Sequence, residues 1–534
     1  MNDKILWWIA AAVCACLYGA ATLKTLGAMQ QSGYKNGVFA RWLGRKDNMY
    51  YNRLCVLTLC LALSSAVVAL CFSFLGTRWA LLFSALPFWG FLLWFVYADS
   101  KYALKVQIKR TGRLVRLFIV YLLLMTAAAF LYVWLLSSVA EINGSSLYAL
   151  FAYFPFALFT LFTPLLLMFA NAITSIFENC RNAKFVKRAG QVLDETKIIR
   201  VAIVGSYGKT SVKNILKTIL SEDYATVATP ESYNTPVGIA KTVYSAEFSG
   251  KEVLIAEMGA RRRGDIGELC RLVKPDYAIF TGVCEQHIQT FGSLEEIFAE
   301  KKRIVEGTKG VIVCGGALRA DLIKAYPEEK RLCFVGESAV KDLSLGAMQT
   351  AFTLVLDGEE IPVKTPLLGK AAVENIALAA TLAQKMGLSA TAIAEGIAKV
   401  QQIPHRLQLI ESGGAYILDD GYNGNPRGAK EGIAALKRFD GRKCIVTPGL
   451  VECGVLEEKL NEELGEEIAK ADLDKVILVG DTLIGAVKTG YTQANGDDKK
   501  LIIVPTLDKA QELLAEWVGA GDAVLFLNDL PDVY

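Results

Sequence analysis

The sequence lacks any C-x-x-C pair, although it contains twelve cysteines. Cysteine pairs at that spacing are a common sign of a zinc site, and a regular set of cysteines in a short secreted chain indicates a disulfide framework. Here the cysteines are scattered over 534 residues, and several lie inside apolar runs. The pattern therefore indicates neither zinc nor disulfides, and we expect the thiols to be reduced.

Charged residues are missing from five long apolar stretches, and the N-terminus lacks the basic leader and the small-residue cleavage site of a secretory signal peptide. Each stretch has about the 20 residues that a helix needs to cross the hydrocarbon core of a bilayer. Buried helices in a large soluble core are the alternative, but charge-free runs of this length favour membrane spans. The five predicted spans are residues 5–23, 54–75, 79–97, 117–136 and 147–173.

Basic residues are unevenly distributed around these stretches. Residues 24–53 and 101–116 each carry six lysines or arginines, whereas the alternate loops hold one between them. The positive-inside rule then places both basic loops in the cytoplasm, the N-terminus outside, and everything beyond Asn179 inside. Through Arg200 the basic residues outnumber the acidic ones by 13, and because the whole chain has a formal charge of +3, the remainder carries −10. We expect a basic membrane part joined to an acidic soluble part.

The segment VGSYGKTSVK, residues 204–213, follows the β-branched run KIIRVAIVG and precedes a segment with helical apolar spacing. A strand, a glycine loop and a helix in this order point backbone N–H groups at a bound phosphate. Lys209 would neutralise the β- and γ-phosphates, and Thr210 or Ser211 would offer a hydroxyl to magnesium. Ile203 occupies the place of the first glycine in the general G-x-x-x-x-G-K pattern, so an ordinary strand-to-helix turn is the alternative. The predicted nucleotide-binding residues here are Gly205, Ser206, Gly208, Lys209, Thr210 and Ser211.

This loop and five later segments resemble, in order, the Mur ligases, ATP-dependent enzymes that add amino acids to the peptide of bacterial cell-wall precursors. The later segments are NTPVGIAKTV, VLIAEMGARRRGDIGELCRLVKPDYAIFTGV, HIQTFGSLEEIFAEKKRI, PHRLQLI and LDDGYNGNP. The last of these is similar to the DDSYNANP signature of the D-alanyl-D-alanine-adding ligase. The resemblance runs from about Lys197 to near the C-terminus.

The resemblance implies a catalytic set made of Lys209, Glu257, His287 and Lys301. Glu257 ends a strand of the parallel type, where such sheets bind ligands, and would hold magnesium together with Ser211 and His287. Lys301 lies fourteen places after His287, at the position of the family lysine that carbon dioxide carbamylates, and would supply an anion to the metal site. The alternatives are a solvated strand-end carboxylate, a hydrogen-bonded loop histidine and a pair of exposed helix lysines.

The resemblance also assigns nucleotide contacts to Arg406, Asp420 and Asn375. An arginine suits phosphate because its fork donates two parallel hydrogen bonds. Asp420 would accept from ribose hydroxyls or orient the hinge, with a turn-stabilising aspartate as the alternative. Three features depart from the family pattern: alanines at 371 and 372 replace His-Asn near the adenine, the C-terminus lacks a KGSR-like turn, and five spans stand in place of the domain that grips UDP.

The sequence thus predicts a membrane all-α N-terminal domain of five spans at residues 1–178. It also predicts an α/β P-loop Mur ligase central domain at residues 183–402 and a smaller α/β C-terminal domain at residues 403–534. The expected activity is ATP- and Mg-dependent carboxylate–amine ligation through an acyl phosphate. The expected partners are a lipid-linked or UDP-linked cell-wall precursor, an amino acid or dipeptide such as D-alanyl-D-alanine, and membrane lipid, with no nucleic acid. The protein would be a multi-pass membrane protein with cytoplasmic ligase domains.

Three other functions fit parts of the sequence. Ligation to another carboxylate, as in folate or poly-glutamate extension, is possible for this fold, although LDDGYNGNP favours the cell-wall substrate. A nucleotide-driven transporter would need charges inside the membrane, and the five stretches have none. A non-catalytic scaffold is favoured by the two alanines and the altered C-terminus, and it predicts that the four catalytic side chains would be dispersed.

Overall fold

The structure, a computed structural model, forms two compact units, Met1–Asn182 and Ala183–Asp532. It describes residues 12–13, 15–16, 18–20, 22–44, 49–72, 89–97, 108–143, 154–230, 233–285, 288–422, 424–451, 453–480 and 483–527. Ten cysteines in these ranges, from Cys16 to Cys453 and without Cys55, are free thiols.

The secondary-structure elements described in the first unit are all helices, joined by short turns and coil. Apart from a helix at residues 89–97, its main elements are α1 (Leu23–Gln31), α2 (Asn36–Leu43), α3 (Met49–Phe72) and α4 (Gly112–Asn143). Helix α5 (Phe154–Glu195) begins in this unit and continues into the second. Its core contains large buried side chains such as Met29, Phe39 and Leu117. Among the described residues one segment, Gly112–Leu131, is long and apolar enough to cross a membrane, as judged by length and composition. The other four predicted spans extend into residues outside the described ranges, and the five-span domain stays a prediction.

The second unit begins with a sheet of six parallel strands in the order β2-β3-β1-β4-β5-β6. These strands are β1 (Ile199–Val204), β2 (Thr226–Ala228), β3 (Val253–Glu257), β4 (Tyr277–Phe280), β5 (Ile312–Gly315) and β6 (Leu332–Val335). The helices of this domain are α6 (Lys209–Leu220), α7 (Pro236–Val243), α8 (Asp265–Val273), α9 (Ile288–Phe291), α10 (Leu294–Lys301), α11 (Arg303–Gly307), α12 (Arg319–Ala325), α13 (Lys370–Lys385) and α14 (Ala390–Ala398). Continuous apolar strands form here because helices cover both faces of the sheet. An antiparallel sheet of β7 (Val340–Leu345), β8 (Thr350–Leu356) and β9 (Glu359–Thr365) follows β6.

Strand β1 lies between β3 and β4, and this position determines where the loop after β1 leaves the sheet. Ile203 pairs with Glu257 of β3, and Val204 pairs with Phe280 of β4. The loop after β1 therefore emerges between the carboxyl ends of two neighbouring strands, where open parallel sheets bind ligands. Helix α6 follows the loop and buries the face that carries Val212, Ile215, Leu216 and Ile219. The predicted strand, loop and helix are confirmed.

The last domain has its own six-stranded sheet in the order β10-β11-β15-β12-β13-β14, with β10 antiparallel to β11 and the other pairs parallel. Its strands are β10 (Gln408–Ser412), β11 (Ala415–Asp420), β12 (Lys443–Thr447), β13 (Lys475–Val479), β14 (Leu501–Val504) and β15 (Ala523–Leu527). Its helices are α15 (Pro426–Leu436), α16 (Glu457–Lys470), α17 (Ile484–Gln493) and α18 (Leu507–Trp517). Asn425 caps α15 by accepting from the backbone N–H of Gly428 at 2.9 Å, and Pro426 occupies the first turn, where its missing N–H costs nothing.

Candidate nucleotide and metal site

The loop between β1 and α6 is pressed closely between its neighbours. A Cβ atom at Gly205 would lie 1.9 Å from Oγ1 of Thr281, and one at Gly208 would lie 2.6 Å from Oδ1 of Asn375. Gly208 also has a φ of 73°, which favours glycine. The backbone N–H of Ser206 donates to the carbonyl of Gly282 at 2.8 Å. Both glycines are therefore required by contact, and the loop is held from the β4 side and from α13.

Gly205→Ala is expected to displace the loop, because Thr281 and the Gly282 carbonyl, 3.2 Å from the added Cβ, leave no room. Overpacking of this kind costs about 1–3 kcal/mol of folding free energy. The variant should show a lower melting temperature. Gly336→Ala is the control, since a Cβ there meets nothing within 4 Å, and equal behaviour of the two variants would contradict the expectation.

The lysine of the loop lies over the phosphate-binding turn. Nζ of Lys209 donates to the carbonyl of Gly205 at 2.9 Å and to that of Ser206 at 3.3 Å. Burial lowers the pKa of Lys209, and the carboxylate of Glu257 opposes that shift. An ammonium group at this place can reach a phosphate bound by the loop N–H groups.

Glu257 forms the acidic centre of the site. One of its oxygens, Oε2, accepts from the hydroxyl of Thr210 at 3.0 Å and from Nζ of Lys213 at 2.9 Å, and the other accepts from the amide of Asn234 at 3.4 Å. The side chains of Glu257 and Lys213 are only 3% and 2% exposed. Burial alone would raise the pKa of Glu257, but the ammonium groups of Lys213 and Lys209 outweigh it and the pKa lies below its usual value.

Lys301 points inward from α10. Its Nζ donates to Oγ of Ser206 at 2.7 Å, and the residue is 2% exposed. Glu300, the preceding residue, helps to fix the orientation of α10. Its carboxylate accepts from the backbone N–H groups of Gly264 and Ile266, both at 2.8 Å. Burial, followed by the charge of Lys209, places the pKa of Lys301 well below its usual value.

Lys302, the next residue along the chain, lies elsewhere. Its ammonium group is 5.8 Å from the ring centre of Phe298 and 5.7 Å from that of Tyr326. His287, the predicted fourth member of the catalytic set, lies outside the described residues. The structure therefore brings Lys209, Glu257 and Lys301 to one loop. The metal-binding roles of Glu257 and Lys301 stay predictions.

The donor set suits magnesium when a nucleotide is present. Within the described ranges no three side chains of the His, Cys, Asp and Glu types cluster as a metal site by themselves. Magnesium commonly takes one or two carboxylates and completes its shell with water and phosphate oxygens. The carboxylate of Glu257 and the hydroxyl of Thr210 are 3.0 Å apart beside the phosphate loop, and they would supply oxygen ligands of this kind. The predicted Ser211 hydroxyl lines the adjoining cleft.

Arg406 lies just before β10, at the hinge to the last domain, and Asp420 is the last residue of β11 in that domain. Arg406 donates to the carbonyl of Tyr422 at 2.8 Å and stacks 4.8 Å above its ring, and burial lowers the pKa of Arg406. Asp420 accepts from the backbone N–H of Leu407 at 3.0 Å, and burial raises the pKa of Asp420 to about 6. Because Leu407 has a φ of 48°, this bond holds a left-handed hinge residue in place. The hinge role and the ribose contact of Asp420 both stay predictions.

A cleft between the middle and last domains contains the other predicted nucleotide contacts. Five predicted residues line it, namely Gly208, Ser211, Asn375, Arg406 and Asp420. Ala371 and Ala372, which depart from the family pattern, line the same cleft. The small side chains leave this wall without the polar groups that the family pattern would place there.

Three residues of the site were missed by sequence reasoning: Tyr207, Lys213 and Arg427. Lys213 lies on the buried face of α6 beside Val212, and a lysine inside an apolar helix face demands a carboxylate, which was an available signal. Arg427 donates from α15 to the hydroxyl of Tyr207 at 2.7 Å. That contact joins residues 220 positions apart in the sequence, and no local sequence pattern predicts it.

The fold and site define a phosphate-loop α/β protein whose second α/β domain lines one side of the cleft beside the loop. Comparison with known proteins gives the family. Residues 203–383 match the Mur ligase middle domain, and residues 405–528 match the Mur ligase, glutamate ligase domain. The chain belongs to the Mur ligase family through these two domains, as its sequence motifs predicted.

The curated proteins that are similar to this chain share one enzyme name. The UDP-N-acetylmuramoyl-tripeptide--D-alanyl-D-alanine ligase of Bacillus subtilis is 30% identical over 288 residues, which cover 52% of this chain and 62% of that protein. The enzyme of the same name from Escherichia coli is 29% identical over 294 residues, covering 52% and 64%. The alignments thus span less than two thirds of the length of these two relatives.

Solved structures agree on the fold. The MurF ligase of Thermotoga maritima, solved in complex with ADP, gives a TM-score of 0.59 at 28% identity and covers 66% of this chain and 81% of that one. MurF from Acinetobacter baumannii gives a TM-score of 0.60 at 22% identity, covering 66% and 78%, and this likeness shows the fold alone.

Proposed function

We propose that the protein is an ATP- and magnesium-dependent peptide ligase. It would join D-alanyl-D-alanine or a similar amine to the peptide carboxylate of a peptidoglycan precursor at the cytoplasmic face of the membrane. The observation that carries the proposal is the gathering of Lys209, Glu257 and Lys301 around one phosphate loop, which a scaffold has no need to retain. The names of the relatives and the ADP bound to the Thermotoga neighbour support the same substrates and nucleotide.

The reaction has two steps. In the first, a carboxylate oxygen of the acceptor attacks the γ-phosphorus of ATP, and the bond from that phosphorus to the β–γ bridging oxygen breaks to release ADP. In the second, the amine nitrogen attacks the acyl carbon, the carbon–oxygen bond to phosphate breaks, and one proton leaves the nitrogen. Neither step needs a protein nucleophile. Both need fixed positive charge and aligned donors around the transferred phosphoryl group.

The residues of this chain supply that environment. The loop N–H groups and the N-terminus of α6 bind the phosphates, and Lys209 neutralises their charge. Glu257 and Thr210 would hold magnesium, which when bound would neutralise phosphate oxygens. Lys213 keeps the Glu257 carboxylate oriented through their 2.9 Å contact. Arg406 at the hinge adds a guanidinium group on the other side of the cleft.

Lys301 is proposed to act as a carbamate, as the family resemblance implies. The neutral amine attacks the carbon of carbon dioxide, a C–O π bond opens onto oxygen, and the nitrogen releases one proton. Two observations support this step. The amine is buried beside the charge of Lys209, and its Nζ lies 2.7 Å from a residue of the phosphate loop. An anion here would relieve the crowding of ammonium groups and would contribute to the metal site.

The ligase activity is tested with purified full-length protein in detergent. We expect ATP, magnesium, a UDP-linked muramoyl tripeptide and D-alanyl-D-alanine to give a product whose mass is the sum of the two substrates minus water. ADP and phosphate should form in equal amounts with it. Rapid ATP hydrolysis that does not depend on any amine would contradict a ligase, and product formation only with a folate-type acceptor would replace the proposed substrate.

The first unit is proposed to be the five-span membrane domain. Helix α3 exposes apolar side chains at Val56, Leu59, Leu63, Val67 and Leu70, and α4 does so at Val115, Ile119 and Leu123. Spacings of three and four residues place each row along one helix face. Contiguous exposed apolar rows of this length are costly in water and suit contact with lipid chains.

The acceptor is proposed to be lipid-linked, with its peptide in the cytoplasm. Confinement to the membrane would raise its effective concentration at the active site without any new peptide contact. Part of the second basic loop is fixed by Gln30, which accepts from the backbone N–H of Lys109 at 3.0 Å and donates to its carbonyl at 2.7 Å. Lys109 and Arg110 are exposed. Exposed cations at a membrane surface attract the phosphates of a lipid headgroup.

A comparison of lipid-linked and UDP-linked acceptors that carry the same peptide tests whether the membrane domain binds the acceptor or only anchors the protein. Full-length protein in detergent is expected to use the lipid-linked acceptor at a higher initial rate than its UDP-linked counterpart. The double variant Lys109→Gln/Arg110→Gln should reduce that preference and leave the UDP-linked rate unchanged, because the peptide and nucleotide contacts are the same. Equal rates for both acceptors would reduce the membrane domain to an anchor.

A further inference from the structure

The last domain reaches the phosphate loop through one arginine. Arg427 lies in the first turn of α15, and its Nη1 donates to the hydroxyl of Tyr207 at 2.7 Å. Its guanidinium group also lies 4.7 Å from the centre of the Tyr207 ring. Its Nη2 donates to both carboxylate oxygens of Glu374 on α13, at 2.6 and 2.5 Å. One side chain thus joins the last domain, the phosphate loop and a middle-domain helix.

A second contact runs beside the first. Glu431, four residues after Arg427 on α15, accepts from the backbone N–H of Lys370 at 3.0 Å, and Lys370 lies four residues before Glu374 on α13. Residues four apart share one face of a helix, so the two contacts are aligned on facing surfaces. They hold α15 of the last domain against α13 of the middle domain.

Tyr207 is fixed from its other side by the end of β4. Its carbonyl accepts from the hydroxyl of Thr281, and its ring lies against Gly282, where an added Cβ would be 2.0 Å from the tyrosine hydroxyl. The ring therefore has no room to move toward β4. A change in the shape of the loop at Tyr207 must be transmitted to the guanidinium group of Arg427.

We propose that Arg427 is a positioning residue that couples the seating of the last domain to the shape of the phosphate loop, so that nucleotide binding and domain closure strengthen each other. This inference rests on the proposed function, because it takes ATP and ADP as ligands of the loop. The ion pair with Glu374 is partly exposed and contributes little alone, whereas the stacked and hydrogen-bonded contact with Tyr207 carries the coupling. The coupling is reciprocal, since each event must favour the other by the same factor.

The test measures ADP binding to the full-length protein in detergent. Arg427→Gln removes both contacts and should weaken ADP binding about tenfold. Tyr207→Phe keeps the ring and loses the hydroxyl, so the loss should be smaller. Arg427→Lys keeps a cation near the ring and should recover part of the affinity. In hydrogen exchange, ADP should slow the amides of α15 in the natural protein and leave them unchanged in Arg427→Gln.

Lys430→Gln is the matched control. It removes one positive charge from the same helix, but Lys430 faces Glu467 of its own domain at 3.7 Å, so ADP binding should not change. The double variant Arg427→Gln/Tyr207→Phe should bind ADP no more weakly than Arg427→Gln alone. Additive losses, or an Arg427→Gln variant that behaves like Lys430→Gln, would overturn the coupling. A natural protein that binds no ADP would instead refute the proposed function.

Discussion

Lys301→Ala is expected to lower the ligation rate roughly 100-fold, the usual scale for removing one fixed charge from a catalytic site. Lys301 is 2% exposed and donates to Ser206 of the phosphate loop, so the substitution removes a charge directly beside that loop. If the residue acts as a carbamate, a small carboxylate such as acetate should restore part of the rate by placing an anion in the vacated space. The measurement is the initial rate of product formation with and without acetate.

Two comparisons separate this role from a structural one. Lys302→Ala should keep nearly full activity, because the Lys302 ammonium group faces the rings of Phe298 and Tyr326 and not the loop. Removal of dissolved carbon dioxide should slow the natural protein and leave Lys301→Ala unaffected. Full activity of Lys301→Ala would rule out a catalytic role for Lys301. A loss of ligation rate that no carboxylate restores would argue against the carbamate.

Local pattern was enough to predict the strand, the glycine loop and the helix of the phosphate site. β-Branched residues read as a buried parallel strand, and the spacing of Val212, Ile215 and Ile219 reads as one helix face. The inward orientation of Lys301 could be predicted only by matching the family register. Its own surroundings, EEIFAEKKR, look like a solvated helix, and the deciding contact of Glu300 with the N-terminus of α8 is a tertiary feature.

Contacts between distant segments were out of reach of the sequence. The Arg427–Tyr207 contact depends on how the last domain is seated, and the hinge that seats it includes His405 and Leu407 with φ values of 58° and 48°. Such φ values are uncommon for side chains of this kind, and composition does not reveal them. In the N-terminal unit the apolar runs gave the expected helices in the described ranges, but hydropathy alone does not fix how many of them cross a membrane.

Glu257→Gln is expected to cost both activity and stability, for different reasons. Loss of the carboxylate should lower the ligation rate on the order of 10³-fold, because the charge that would hold magnesium at the transferred phosphoryl group is gone. It also leaves the ammonium group of Lys213, 2% exposed, without the carboxylate that accepts its 2.9 Å bond. Breaking a buried ion pair from one side costs about 3 kcal/mol of unfolding free energy. Initial rates and thermal unfolding of the same preparations measure the two effects.

Removing the charges of both Glu257 and Lys213 separates the effect on the ligation rate from the effect on stability. The double variant Glu257→Gln/Lys213→Met makes both members of this buried ion pair neutral, and replacing both members of such a pair is often close to neutral for stability. We therefore expect the melting temperature to recover toward that of the natural protein while the ligation rate stays low. Glu257→Asp keeps the charge but shortens the side chain, and it should retain the fold with a partial rate. Recovery of activity in the double variant would show that Glu257 serves only to neutralise Lys213, and the assignment of a metal-binding role to its carboxylate would be wrong.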